Sequence, residues 1–223
     1  MTELEKNTVM KLTYFNVRGL AETSRMLFAV AQEDYEDFRY PLEVLDMSTH
    51  SMVKDEFDSD KAAGKLTGSL NKVPFLEVGG VVIPQSKSIE RYLGNLFGMM
   101  GSSDLESARI DALCECVRDF KELYQKVRVA DDRDKAMTEW FTVTLVERLT
   151  LLDVLLGSDG FSVGEKTSLS DIVLYSFITT FFDNAEASMN ATLATPNLRK
   201  IIDRVHLLPE MVKWLDERPK TDF

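Results

Sequence analysis

The sequence predicts an α/β unit followed by an all-helical one, and three observations predict it. Short apolar runs of strand character, VMKLTYF, DFRYPL and VPFLEVGGVVIPQS, all fall within the first 86 residues. No strand pattern follows Ile83. Beyond the GMMGSSD stretch, apolar residues recur at helical spacing toward the C-terminus. The division this predicts is an α/β domain over residues 1–97 and a helical domain over 104–223.

In chain order, VMKLTYF (9–15) alternates, with Met10, Leu12 and Tyr14 on one side, which is a strand pattern. Arg18-Gly19 ends it, and Met26, Leu27, Val30 and Ala31 then recur as in a helix over 21–32. DFRYPL reads as a second strand, placed at a sheet edge by Pro41. The stretch 45–70 is charged and irregular, with one short helix expected near 52–63. Two apolar runs around Gly79-Gly80 form a hairpin. Ser86 opens a helix to about Phe97, with Ile89, Tyr92, Leu93 and Leu96 on one face. The order is β-α-β-α-β-β-α.

In the second half, Ser103-x-x-Glu106 is a capping box before a helix from Asp104 to about Val129. Another helix is predicted over 131–156, stopped by Gly157. Ser168-x-x-Asp171 opens DIVLYSFITTFFDNAEA, apolar nearly all round and therefore central. Pro196 and Pro209 each start a shorter helix.

The formal charge of −11 argues against nucleic acid and anionic membrane surfaces as partners. Cys114 and Cys116 lie two apart on a helix and face different ways, so no disulfide is expected. That cysteine usage fits a reducing compartment. With no apolar leader and no run long enough to cross a bilayer, the expected address is cytoplasmic. His50 and His206 have no partners at metal-ligand spacing, and no metal site is expected.

Three places are candidates for chemistry. Tyr14 ends the first strand before the Asn16–Gly19 turn, where a phenol can donate into a pocket; spacing alone favours instead a strand tyrosine with a locally satisfied hydroxyl. Val73-Pro74 precedes a strand; by itself it reads as a plain strand start, whereas a cis bond there would leave the Val73 backbone available to an extended peptide ligand. Gln85-Ser86 lies at a helix start, where N–H groups bind carboxylates or a serine simply caps.

Taken together, KLTYFNVRGLAE, NKVPFLEVGG, IPQSKSIERYL and the SLSD box resemble the cytosolic glutathione transferases, in particular the sigma class that includes the haematopoietic prostaglandin D synthases. The resemblance extends over nearly the whole chain. It implies a thioredoxin-like N-terminal domain, an all-α C-terminal domain, glutathione as co-substrate and a homodimer. By position, Tyr14 matches the catalytic tyrosine. Val73 and Pro74 match the backbone partner of the cysteinyl part and the cis-proline. Gln85 and Ser86 match the residues that hold the γ-glutamyl carboxylate. Phe57 and Lys61 are similar to a Trp-x-x-x-Lys element at the glycine end, with Lys72 beside it, and Asp119 matches an aspartate reaching the γ-glutamyl amine from the partner subunit.

Several residues depart from the sigma pattern. Leu20 replaces an arginine, Phe57 a tryptophan, and Arg118 an acidic residue of a metal cluster, so the resemblance implies no metal here. Lys121 and Lys126 stand where the prostaglandin synthases carry apolar or aromatic residues, which argues against that specialised use. The expected reaction is attack of the glutathione thiolate, stabilised by Tyr14, on a small hydrophobic electrophile. Its expected site is walled by Phe15, Arg18, Tyr124 and Phe223. A glutathione-dependent isomerase or peroxidase, and a non-catalytic relative like the S-crystallins, are the alternatives. A thiol-disulfide oxidoreductase is excluded, because residues 16–20 hold no cysteine.

Overall fold

The computed structural model describes residues 9–46 and 51–221, so His50 and Phe223 lie outside the described residues. Contacts divide the chain into two compact units, residues 1–93 with 217–223, and residues 94–216.

The first unit is built on a four-stranded sheet. Its strands are β1 (Met10–Phe15), β2 (Tyr35–Tyr40), β5 (Phe75–Val78) and β6 (Val81–Pro84), in the order β2-β1-β5-β6. β1 pairs parallel with β2 and antiparallel with β5, and β5–β6 is the expected hairpin. The parallel pair needs a crossover, which α1 (Glu22–Ala31) supplies. Side chains on a strand point alternately to the two faces. On one face, Leu12 and Leu76 are direct cross-strand partners and fully buried. Met26, Leu27 and Phe28 of α1, and Ile89 and Leu93 of α3 (Ser86–Leu96), are fully buried as well. On the other face, Tyr40 and Phe75 cluster with Leu66 and with Phe57 of α2 (Asp55–Ala62). Burying each such side chain contributes roughly 1.5–3 kcal/mol.

The stretch expected to be irregular also contains an antiparallel pair, β3 (Glu43–Asp46) and β4 (Ser51–Val53). These strands are short and expose Leu45, Met52 and Val53, so no buried face imposes an apolar alternation on them.

The regular elements of the second unit are all helices among its described residues. α4 (Asp104–Arg128) starts at Ser103, whose side chain accepts the Glu106 N–H. The return bond of the expected box is shifted by one residue: Glu106 accepts from the Ser102 N–H and hydroxyl, both at 2.7 Å. The helix expected over 131–156 is observed as α5 (Arg133–Glu139) and α6 (Leu145–Asp153), joined by a wider π turn over Trp140–Thr144. α7 (Leu169–Thr180) is central, as its all-round apolarity requires. It ends earlier than expected. Asn184 takes the N-cap of a separate α8 (Ala185–Asn190), its side chain accepting the Ala187 N–H at 2.9 Å, and this local bond competes with continuing the helix. α9 (Pro196–His206) and α10 (Pro209–Glu217) begin at their prolines.

Asp171 holds this unit's start of α7. It is fully buried, accepts the Ser162 and Ser168 N–H groups at 2.7 and 2.9 Å, and takes Arg204 Nη2 at 2.9 Å. His206 is tied to a buried residue, its Nδ1 lying 2.9 Å from the Tyr175 hydroxyl. Cys114 and Cys116 are both free thiols.

Candidate active site

Tyr14 is the fifth residue of β1 and only 8 % exposed. Its ring is on the face that also carries Leu12. Its hydroxyl oxygen accepts the Leu20 N–H at 3.2 Å, which leaves the phenolic proton to be donated elsewhere. Burial raises the Tyr14 pKa, and the Leu20 N–H and the Arg25 charge oppose the rise. At neutral pH the group is therefore a protonated donor.

The turn that brings Leu20 back to Tyr14 depends on Gly19. Its φ is +40°, and a β-carbon built there would lie 2.7 Å from the Tyr14 hydroxyl oxygen. A side chain at 19 would thus push directly on the proposed catalytic atom.

Arg25 braces the same turn from below, a role with no counterpart in the sequence expectations. Its guanidinium is fully buried on α1. It donates to the carbonyl oxygens of Val17 at 2.7 Å, Arg18 at 3.4 Å and Phe15 at 3.5 Å. It pairs with Asp37 at 3.1 Å and with buried Glu22 at 3.6 Å, and Arg218 closes on Glu22 at 2.7 Å. Its guanidinium carbon stands 6.0 Å from the Tyr14 ring centre. The sequence carries no signal for it: an arginine between Ser24 and Met26 reads as a surface charge until its partners are in place.

The remaining glutathione candidates of the first unit lie on three segments. Val73-Pro74 is a cis peptide just before β5, and Leu70 and Asn71 ahead of it both have left-handed φ. Val73 packs on the Tyr40, Phe57, Leu66 and Phe75 cluster, while Lys72 is exposed. Gln85 joins β6 to α3 with φ +76°, and its carbonyl accepts the Ile89 N–H at 3.0 Å, so Ser86 is the first residue of the helix. A non-glycine in that region carries a cost of about 1–3 kcal/mol. Phe57 and Lys61 share α2; Phe57 is buried against Phe15, ring centres 5.1 Å apart, and Lys61 is exposed in the last turn.

Arg18 is partly buried in the braced turn. Asp119 is exposed on α4 beside Arg118, which pairs more closely with Glu115, at 2.8 Å. Tyr124 is only 2 % exposed, enclosed by Trp140, Phe141, Phe181 and Phe182, and its hydroxyl has no partner among the described residues. Its surroundings are those of a core aromatic. Lys121, one turn earlier, lies over the Phe181 ring at 4.8 Å. Among the described residues no three His, Cys, Asp or Glu side chains come together as a metal site, and no helix is long and apolar enough to cross a membrane.

The chain as a whole has counterparts among known proteins. The glutathione S-transferase N-terminal domain family matches residues 10–95, and the C-terminal domain family matches residues 118–218. The chain belongs to the glutathione S-transferase family. It is 37 % identical over 214 residues to the hematopoietic prostaglandin D synthase of Gallus gallus, covering 95 % of this chain and 97 % of that protein. It is 32 % identical over 221 residues to glutathione S-transferase 1 of Ascaris suum, covering 96 % and 98 %. Among solved structures, the monomeric Na-GST-3 of the hookworm Necator americanus superposes with a TM-score of 0.80 at 26 % identity, over 96 % of this chain and all of that one. The protein is a glutathione transferase with a thioredoxin-like N-terminal fold and a helical C-terminal domain, and its family uses glutathione as co-substrate.

Proposed function

We propose that Tyr14 donates its phenolic hydrogen to the glutathione sulfur and that the resulting thiolate attacks a small hydrophobic electrophile. The observation that carries this reading is the Tyr14 hydroxyl itself, buried and protonated, with its oxygen already engaged by the Leu20 N–H. A free thiol ionises near pH 8.5, so lowering its pKa by about two units needs about 2.7 kcal/mol. A hydrogen bond to a charged acceptor contributes about 1.5–3 kcal/mol. One well-aimed phenol is therefore of the right size.

In this reading the Val73 backbone pairs with the cysteinyl part of glutathione, next to Pro74. Ser86 and the first N–H groups of α3 take the γ-glutamyl carboxylate, with Gln85 beside them. Lys61 and Lys72 are exposed cations suited to the glycine carboxylate, and Phe57 shapes the floor beneath them. Phe15 and Arg18 are the proposed surroundings of the electrophile on the first unit; Tyr124, expected there from the sequence, is instead enclosed with its hydroxyl in the aromatic core of the helical unit. Asp119 acts on the γ-glutamyl amine of a partner subunit in a cytoplasmic homodimer. The relative described as monomeric makes the oligomeric state a separate question for sedimentation.

Tyr14→Phe is expected to lower turnover with a generic aromatic electrophile by about tenfold to a hundredfold, the value of one such hydrogen bond, while glutathione still binds. Unchanged turnover in that variant would sink the assignment. A second reading, isomerisation on the same thiolate, draws on the prostaglandin D synthase relative at 37 % identity. Turnover of an endoperoxide faster than of an aromatic electrophile is the result that would favour it.

A further inference from the structure

The sheet of the first unit has a concavity on the face that α2 covers, and none of its lining residues belongs to the glutathione set. Its volume is ≈ 270 Å³, room for one aromatic ring and a short arm. Phe38, Tyr40 and Phe75 supply its apolar wall, and Thr13, Glu77 and Lys65 are among its polar groups.

The charges in this pocket are unequally satisfied. Lys65 is bound to Asp60 at 2.6 Å, and Asp60 also accepts the Tyr40 hydroxyl at 2.9 Å. Lys11 stands directly across from Glu77 in the β1–β5 register. It nevertheless turns to Glu36, at 2.9 Å, with its ammonium 4.7 Å from the centre of the Phe38 ring. Among the described residues, the Glu77 carboxylate then has no hydrogen bond or ion pair, although it is half-buried. Thr13 is 2 % exposed, and its hydroxyl also has no partner. The pocket thus offers an unpaired carboxylate next to three aromatic rings.

We propose that this pocket binds a small aromatic amine in its protonated form, the ammonium on Glu77 next to Thr13 and the ring against Phe38, Tyr40 and Phe75. An anion of the same shape would have to break the Lys11–Glu36 or Lys65–Asp60 pair and would face an uncompensated carboxylate. An ammonium breaks neither pair and meets the Glu77 carboxylate. The site is independent of the glutathione chemistry and stands or falls separately from it.

Isothermal calorimetry on the purified full chain tests this with phenethylamine and, as its anionic counterpart, 3-phenylpropionate. Saturable one-to-one binding of the amine, tighter than that of the carboxylate and undiminished by saturating glutathione, is the expected result. Glu77→Gln is expected to weaken the amine by about tenfold or more, the value of a hydrogen bond to a charged group, with glutathione binding unchanged. No saturable binding, equal affinity in Glu77→Gln, preference for the carboxylate, or displacement by glutathione would each overturn the proposal. Should the variant not fold, amide shifts in the wild-type protein decide: shifts at Thr13, Phe38 and Glu77 support the site, and shifts confined elsewhere contradict it.

Discussion

Gly19 and the Tyr14 hydroxyl occupy space that only a glycine leaves open: a β-carbon at position 19 would stand 2.7 Å from the phenolic oxygen. Alanine there meets both that overlap and a φ of +40°. Gly19→Ala is expected to move the hydroxyl and lower turnover by about tenfold to a hundredfold, as for loss of one charge-assisted hydrogen bond. Because the glutathione candidates on α3 and before β5 are untouched, glutathione affinity should change by no more than a few fold. Steady-state kinetics beside a glutathione titration separate the two.

Arg25 holds the turn that Gly19 shapes. Lysine at 25 keeps the charge but not the planar fork that reaches three carbonyl oxygens and Asp37 together. Arg25→Lys is expected to lose stability and activity together, and Arg25→Ala to destabilise by about 3–5 kcal/mol, since it strips a buried pair of one member. Denaturant unfolding checks the magnitude. A loss below about 1 kcal/mol for the alanine variant would mean that Glu22 and Asp37 find other partners.

Asp171 makes a similar case in the helical unit. Its carboxylate closes the capping box of α7 and receives Ser162 N–H and Arg204 besides. Asp171→Ala should cost about 3–5 kcal/mol, by the same argument. Asp171→Asn, which keeps one acceptor oxygen, should cost less. Thermal unfolding of the pair orders them.

Where local chemistry and tertiary packing ask for the same thing, the chain could be read without coordinates. The alternation through Met10, Leu12 and Tyr14, the Gly79-Gly80 hairpin and the Ser168–Asp171 box are such places. The β3–β4 pair was not legible, because exposed strands need no apolar period. The end of α7 was misplaced because Asn184 caps a new helix inside an apolar-to-polar run that still looks helical. The π turn at Trp140 has no pattern of its own, since it spans a single turn of a helix. In the site, the positions of Tyr14, Val73, Gln85 and Ser86 were visible as motifs. The support beneath them was not, because Arg25 looks like a surface charge until its partners on β2 and in the turn are in place.

Alkaline titration probes the face of the sheet away from Tyr14. Burial, then the hydrogen bond to Asp60, push Tyr40 up to about 12. Unfolded tyrosine ionises near 10. A folded pKa above the unfolded one contributes stability that is fully present below about pH 10 and is lost as pH rises through about 12. Burial also raises the hydroxyls of Tyr14, Tyr35 and Tyr124. Phenolate absorbance from these four tyrosines should therefore appear late or only on unfolding. Tyr40→Phe should flatten part of the alkaline loss of stability. A single phenolate transition near pH 10 in folded protein would contradict the burial of these rings.

The most direct test of the central claim is the ionisation of glutathione when bound, followed by thiolate absorbance against pH in wild type and Tyr14→Phe. Wild-type protein should lower the thiol pKa by about two units from its free value, and the phenylalanine variant should return it most of the way toward about 8.5. Bound glutathione that ionises at the same depressed pH in both proteins would show that Tyr14 is not the group that stabilises the thiolate.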